Sequence, residues 1–401
     1  MRFAQPVLLL LNLFFLTHAF PTLATQIPLL RHANNRTVSA KLFAELEELA
    51  RVVDISYCIG LTGLGIAKPF QCLSRCSDFP NFELVKVGKL LLSSIGQDQE
   101  NTQANSQRWQ AWNTGPLMSD SCGYIALSHS PSPPRIIVAF RGTYSIANTI
   151  IDLSTVPQEY VPYTGGDDGS ATPEAKCDNC TVHSGFHTSW LVTRASILAD
   201  LETAIALHPG YQLTLVGHSL GGAIAALAGL DFRARGWDPV VTTFGEPRIG
   251  NRGLNTYLDA KCGLDAGNAA DEDALRYRRV THVDDPVPLL PLKEWGYAMH
   301  AGEIFISKAE LSPEVEDLRH CTGHSDQRCI ARGDTAFLAT AAVGDQYHGP
   351  DGLAWLDSPH EDGGMWKYPA RYKLWQLFFA HRDYFWRLGL CVPGGDPRGW
   401  F

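Results

Sequence analysis

The chain alternates short apolar runs with longer stretches of helical spacing. "GYIALS" (123–128), "RIIVAF" (135–140), "LTLVG" (213–217), "VVTTFG" (240–245) and "RYRRVTHV" (276–283) are brief and β-branched, and each predicts a strand. Residues 184–207 predict a long helix. "LGGAIAALAGLDFRARG" predicts another, opening at Leu220 and stopping at Gly236. Strands alternating with helices predict a mostly parallel sheet with helices on both faces, an α/β architecture carried as one domain over residues 51–401. Residues 262–275, rich in Ala, Asp and Gly, and 308–364, rich in Gly, Asp and His, read as insertions on that core. Residues 25–50 are polar, then helical in pattern from "KLFAELEELARVV" onward. They read either as a trimmed pro-segment or as an N-terminal helix.

The first residues change where the protein is expected to be. Arg2 precedes an apolar run from Val7 to Leu16. That run is shorter than the roughly 20 residues a membrane span needs. Small residues follow it, which predicts a secretory signal peptide over 1–19 or 1–24. No other segment reads as a membrane span, so the mature chain is expected to be soluble and extracellular. A net charge of −9 without a long basic run excludes nucleic acid and polybasic membrane docking as first choices.

Ten cysteines fit an oxidising compartment. In "CDNCTVHSGFH" the residues Cys177, Cys180, His183 and His187 have a spacing that zinc could use. An oxidising compartment favours a Cys177–Cys180 disulfide instead. Cys321 and Cys329 could staple each other within the second insertion. Sequons at Asn35 and Asn179 are candidate glycosylation sites, the second compromised if its neighbouring cysteines are bridged.

The candidate chemistry centres on "TLVGHSLGGAIAAL", residues 214–227. A strand running straight into a helix forces a sharp turn, and Gly217 and Gly221 leave room for the chain to pack there. Ser219 at that turn would expose its hydroxyl beside outward-pointing N–H groups, the nucleophile elbow of α/β-hydrolases. The competing reading is a serine that merely caps the helix. A nucleophilic serine needs a histidine base, and the histidine needs a carboxylate to hold it. Asp284 and Asp285 both lie where a strand ends in "RRVTHVDDPVPLLP". Spacing does not choose among His300, His320, His324, His348, His360 and His381 for the base.

Seven motifs in order, "VAFRGTYSIANTIIDL", "VHSGFHTSW", "LVGHSLGGAIAAL", "TFGEPRIGN", "THVDDPVPLLP", "HAGEIFI" and "AHRDYF", run along most of the chain. On these the sequence resembles the secreted filamentous-fungal triacylglycerol lipases, or class 3 lipases, which include feruloyl esterases. The resemblance implies an α/β-hydrolase fold with a helical lid. It implies Ser219 as nucleophile, Asp285 as the acid and His381 as the base, with His300 and Arg141 structural. The oxyanion hole would be the backbone N–H of Leu220 together with Thr143. It also implies the disulfides Cys58–Cys391, Cys72–Cys76 and Cys177–Cys180, and leaves Cys122 and Cys262 without a counterpart. No cofactor or metal is implied.

After "FRGT", the residues Ile146, Ile150 and Leu153 share one face of a helix, with Ser145, Asn148 and Asp152 on another. In the resembled family this segment, about 144–154, is the lid that covers the site in water and opens at a lipid surface. Family lipases often carry Trp after the lid asparagine, where this chain has Thr149. The expected function is hydrolysis of carboxylic esters at an oil–water interface, triacylglycerol being the first substrate. A feruloyl or short-chain carboxylesterase is the alternative within enzymes. A catalytically inactive surface-binding protein is the alternative outside them, disfavoured because every triad position is filled.

Overall fold

The computed structural model describes residues 36–59, 65–87, 122–143, 157–162, 177–264, 271–334 and 379–393. Its strands are β1 (Phe82–Val87), β2 (Gly123–Ser128), β3 (Arg135–Phe140), β4 (Pro157–Glu159), β5 (Thr181–His183) and β6 (Gln212–His218). They continue with β7 (Val240–Phe244), β8 (Gly250–Asn251), β9 (Tyr277–His282), β10 (Tyr297–Ala298), β11 (Glu303–Ile306) and β12 (Leu318–His320). The α-helices among the described residues are α1 (Ala40–Ile55), α2 (Ser184–Leu207), α3 (Leu220–Ala234) and α4 (Arg252–Cys262).

Eight strands form one sheet in the order β1-β2-β3-β6-β7-β9-β11-β12. The strands β3, β6, β7, β9 and β11 run parallel, while β1, β2 and β12 join antiparallel at the edges. The central strands are apolar on both sides because both sides are covered. In β3, Ile136, Val138 and Phe140 enter one core with residues of α2 and α3. The alternate residues Ile137 and Ala139 enter the opposite core with α1 and the C-terminal Tyr384, Phe385 and Leu388. The strand period of two thus divides each central strand between two cores. A second, four-stranded sheet of order β10-β8-β5-β4 lies apart from this one in its hydrogen bonding.

Helix α1 takes up the second half of residues 25–50. Ser39 caps it, its hydroxyl accepting from the Leu42 N–H at 3.1 Å. Leu42, Leu46, Leu49 and Val53 recur at helical spacing and are buried in the core. Burial of a leucine side chain stabilises by about 1.5–3 kcal/mol. A pro-segment trimmed as far as residue 50 would remove most of that face. The helix also runs through residue 51, so the boundary expected there falls inside one element. Upstream, residues 36–38 pair with the β12 edge, the His320 N–H reaching the Arg36 carbonyl at 2.7 Å. The folded body therefore includes Arg36 onward, and the signal peptide and Asn35 lie outside the described residues.

The two insertions differ in outcome. The first is partly the end of α4, up to Cys262, followed beyond the gap in description by a short helical turn at Glu272–Ala274. The second is not wholly peripheral to the core: β12 completes the main sheet, and Cys321 and Cys329 are bonded to each other. Its residues from 335 to 364 lie outside the described residues. Cys58–Cys391, Cys72–Cys76 and Cys177–Cys180 are also bonded, and Cys122 and Cys262 take part in no disulfide. With the sulfurs of Cys177 and Cys180 joined, neither is a thiolate for zinc. The bridge also takes up the middle residue of the Asn179 sequon, and the Asn179 carbonyl accepts from Asn251 Nδ2 at 2.6 Å.

Candidate active site

Ser219 joins β6 directly to α3. Its backbone lies at φ 57° and ψ −127°, a region L-residues avoid at about 1–3 kcal/mol. The surroundings hold it there: its N–H donates to the Phe244 carbonyl at 2.9 Å. A Cβ on Gly217 would overlap the Gly221 carbonyl, and one on Gly221 would overlap the Phe140 carbonyl. Only two glycines let the helix start this close to β3 and β6. The serine hydroxyl makes no capping hydrogen bond to α3, which removes the competing reading of a simple cap.

Asp285 and His381 meet across the carboxyl end of the sheet. Asp285 follows β9, and His381 lies in the C-terminal segment, with His381 Nδ1 at 3.0 and 2.9 Å from the two carboxylate oxygens. Asp285 also accepts from the Tyr384 hydroxyl at 2.5 Å and from the Val287 N–H at 2.9 Å. Burial pushes the Asp285 carboxyl up, but the His381 charge and these donors outweigh it and hold it below its usual range. A carboxylate that accepts from Nδ1–H leaves Nε2 as the lone-pair nitrogen of His381. That Nε2 is buried and has no hydrogen-bond partner among the described residues. Its lone pair meets no donor among those residues.

Two of the other candidate histidines are paired elsewhere. His300 Nε2 sits 2.9 Å from the buried Glu246, and His320 Nε2 sits 2.7 Å from Asp273. His348 and His360 lie outside the described residues. Asp284, next to Asp285, is only half-buried.

The His381 ring stacks on the ring of His218, the residue before Ser219, with centroids 4.6 Å apart. The end of β3 arrives at the same place. A Cβ on Gly142 would lie 2.9 Å from the Ser219 Cβ and 2.7 Å from the His218 carbonyl. Thr143 follows directly, its Oγ1 buried without a hydrogen-bond partner among the described residues. Leu220 opens α3, and the N–H groups of a first helical turn have no intrahelical acceptor. Two donor-bearing residues thus flank the serine. Arg141 is buried and turned away, its Nη1 donating to the Ile59 carbonyl at 2.5 Å. Ile146, Ile150 and Leu153 lie outside the described residues.

Sequence reading missed four members of this cluster: Tyr384, His218, Gly245, where a Cβ would lie 2.9 Å from His381 Cε1, and Tyr57, whose hydroxyl is 2.5 Å from His218 Nδ1. Tyr384 and His218 stood inside quoted motifs, three residues after His381 and one before Ser219. Tyr57 had no local signal, since it comes from the turn after α1. The residues Glu303, Cys321 and Cys329 have ligand atoms close enough to hold a metal, but the two sulfurs are bonded to each other.

Known proteins are similar to this chain in sequence and in fold. The sequence profile of "Lipase (class 3)" matches residues 137–295. "Lipase A" of Sodiomyces alcalophilus is 50% identical over 98% of this chain and 92% of its own length. A "Secreted mono- and diacylglycerol lipase 2" of Gibberella zeae is 49% identical over 90% of this chain and 85% of its own. Among solved structures, the Lip2 lipase of Yarrowia lipolytica superposes with a TM-score of 0.64 at 27% identity, over 89% of this chain and 97% of that one. The α/β-hydrolase fold expected from the motifs is the fold of these lipases, and the chain belongs to the class 3 lipases, a family of carboxylic-ester hydrolases.

Proposed function

We propose that Ser219 is the nucleophile, His381 the general base and acid, and Asp285 the carboxylate that orients it. The observation that carries this reading is His381 Nδ1 held at 2.9 Å by Asp285 while the Nε2 lone pair meets no donor among the described residues. Nε2 removes the proton as the Ser219 hydroxyl attacks the ester carbonyl, and returns it to the departing alcohol. Water then repeats the sequence on the acyl-enzyme and releases the acid. The Leu220 N–H and Thr143 serve the developing oxyanion, each such donor being worth about 10²–10³ in rate.

The substrates proposed are acylglycerols. Relatives at 49% and 35% identity are named mono- and diacylglycerol lipases, which supports partial glycerides beside the triacylglycerol expected from sequence. Secretion is supported by four disulfides and by relatives named as secreted. Action at an oil–water interface is supported by the apolar face of Ile146, Ile150 and Leu153. No helix among the described residues is long and apolar enough to cross a membrane.

One set of assays tests the whole reading. Mono-, di- and triolein and p-nitrophenyl esters of graded length are expected to be cleaved, with long acyl chains retained as substrates. A serine-directed phosphonate is expected to label Ser219, and Ser219→Ala to abolish both. Cleavage confined to feruloyl or short-chain esters would replace the lipase reading by the esterase one. No hydrolysis of any ester would favour the inactive binder. A rate that climbs steeply past the solubility limit, and is blunted by Ile150→Asp, is the interfacial outcome. A smooth hyperbola unaltered by that substitution would remove the lid from the proposal.

A further inference from the structure

Behind the serine turn, three distant segments are joined by hydrogen bonds whose directions follow from chemistry alone. His218 Nε2 lies 2.8 Å from the backbone carbonyl of His381. A carbonyl only accepts, so Nε2 carries the hydrogen. Burial, then the neighbouring His381, push the His218 ring down to about 3, so it is neutral and its Nδ1 is an acceptor. The Tyr57 hydroxyl, 2.5 Å from Nδ1, must then donate. Its oxygen in turn accepts the Gly142 N–H at 3.1 Å. The result is a one-way strap from Gly142 through Tyr57 and His218 to the main chain of His381.

We propose that Tyr57 and His218 are positioning residues for ester hydrolysis: the strap sets the His381 ring against Ser219 and fixes the strand end that leads into Thr143. This rests on the triad reading above. The two ends of the strap are the two groups whose placement that reading needs most, the base and the oxyanion donor beside it. Misplacement of about 1 Å in such groups can cost 10²-fold in rate. The stack gives His218 a second effect. The two rings lie 4.6 Å apart at 29°, so the imidazolium formed during the reaction faces the π surface of a neutral ring. A protonated His218 would repel it instead. Tyr57 keeps that from happening only indirectly, by using the Nδ1 lone pair. The other charged or titratable groups around the pair are Asp285, Tyr384 and Arg382.

Two variants separate the effects. Tyr57→Phe cuts the strap and keeps the stack. His218→Asn removes the ring and with it both the stack and the Nε2 donor to the His381 carbonyl, so the acid limb of its pH profile, which Tyr57→Phe leaves in place, reports on the stack. Both would be assayed on dissolved p-nitrophenyl butyrate after thermal melting shows a cooperative fold. Tyr57→Phe is expected to lower kcat about tenfold with KM within about twofold, and to leave the acid limb of the pH profile in place. His218→Asn is expected to lower kcat further and to move that limb down by about half a pH unit, as the imidazolium loses its partner. A folded Tyr57→Phe protein with wild-type kcat overturns the strap, whatever becomes of His218→Asn. An unmoved acid limb in folded His218→Asn overturns the stack. Phosphonate labelling of wild-type protein anywhere but Ser219 would overturn the triad reading itself, and the strap with it.

Discussion

Gly245 faces His381 so closely that a Cβ there would sit 2.9 Å from the imidazole Cε1. The same atom would lie 2.7 Å from the Tyr384 hydroxyl and 2.8 Å from Asp285 Oδ2. The backbone at Gly245 also has φ +58°, which L-residues rarely adopt. β7 is therefore followed by a glycine because His381, Asp285 and Tyr384 occupy the space a side chain would fill. Gly245→Ala is expected to shift the His381–Asp285 pair and lower kcat by about 10². Its stability should fall modestly, by about 1–3 kcal/mol of strain, and its melting temperature with it. Steady-state kinetics beside calorimetry would check both, and full activity in a folded Gly245→Ala protein would contradict this packing.

Two buried groups pull the pH dependence of stability in opposite directions. His218 titrates near 3 in the folded protein against 6.5 when free. As pH falls from about 6.5, the unfolded chain takes up a proton that the folded one refuses, so stability falls down to about pH 3. Asp54 behaves inversely. Burial, against donors that include the Gly389 N–H at 2.8 Å, pushes it from 3.8 up to about 6. Below pH 3.8 its contribution is fully present, and it is lost as pH rises through about 6. A difference of about 2 pH units corresponds to about 3 kcal/mol at 1.36 kcal/mol each. Asp54→Asn is therefore expected to gain stability at pH 7 relative to pH 4, by an amount of that order. Urea melts of both proteins at the two pH values would decide it, and an unchanged difference would refute the assignment.

The Cys58–Cys391 bridge ties the segment carrying His381 to the end of α1. It closes a loop of 333 residues, which chain entropy would make worth about 6 kcal/mol at most. The same segment is anchored at Gly389 by Asp54. Cys58→Ala/Cys391→Ala is expected to lose hydrolytic activity on heating well before the sheet unfolds, because the base is held by its terminal segment and the serine is not. Activity and far-ultraviolet dichroism followed along one temperature ramp would show two separated losses. Coincident losses would mean that the bridge steadies the whole body rather than the site.

Periodicity was enough for the central elements. β2 and β3 occupy the residues their patterns predicted, and so does α2. β6, β7 and β9 depart by one residue at most at either end, β6 because a buried strand carries apolar residues along most of its length. The Ser219 turn was equally legible, since two glycines around a serine between strand and helix is a local demand. β12 was not, as three residues are too few for any period, and it exists only because β11 offers it a partner. α1 was legible as a helix, but its membership of the folded body was not, because the core it fills is made of distant strands. Residue pattern alone left six histidines and two aspartates as candidates. Their side chains are chemically alike, so nothing local distinguishes them. Packing does: it brings residue 381 to residue 285 across 96 residues of chain, and Tyr57 to His218 across 161. Local sequence determined where the strands, helices and strained turn would form, whereas only the closed tertiary structure selected which distant imidazole, carboxylate and phenol would share one buried space.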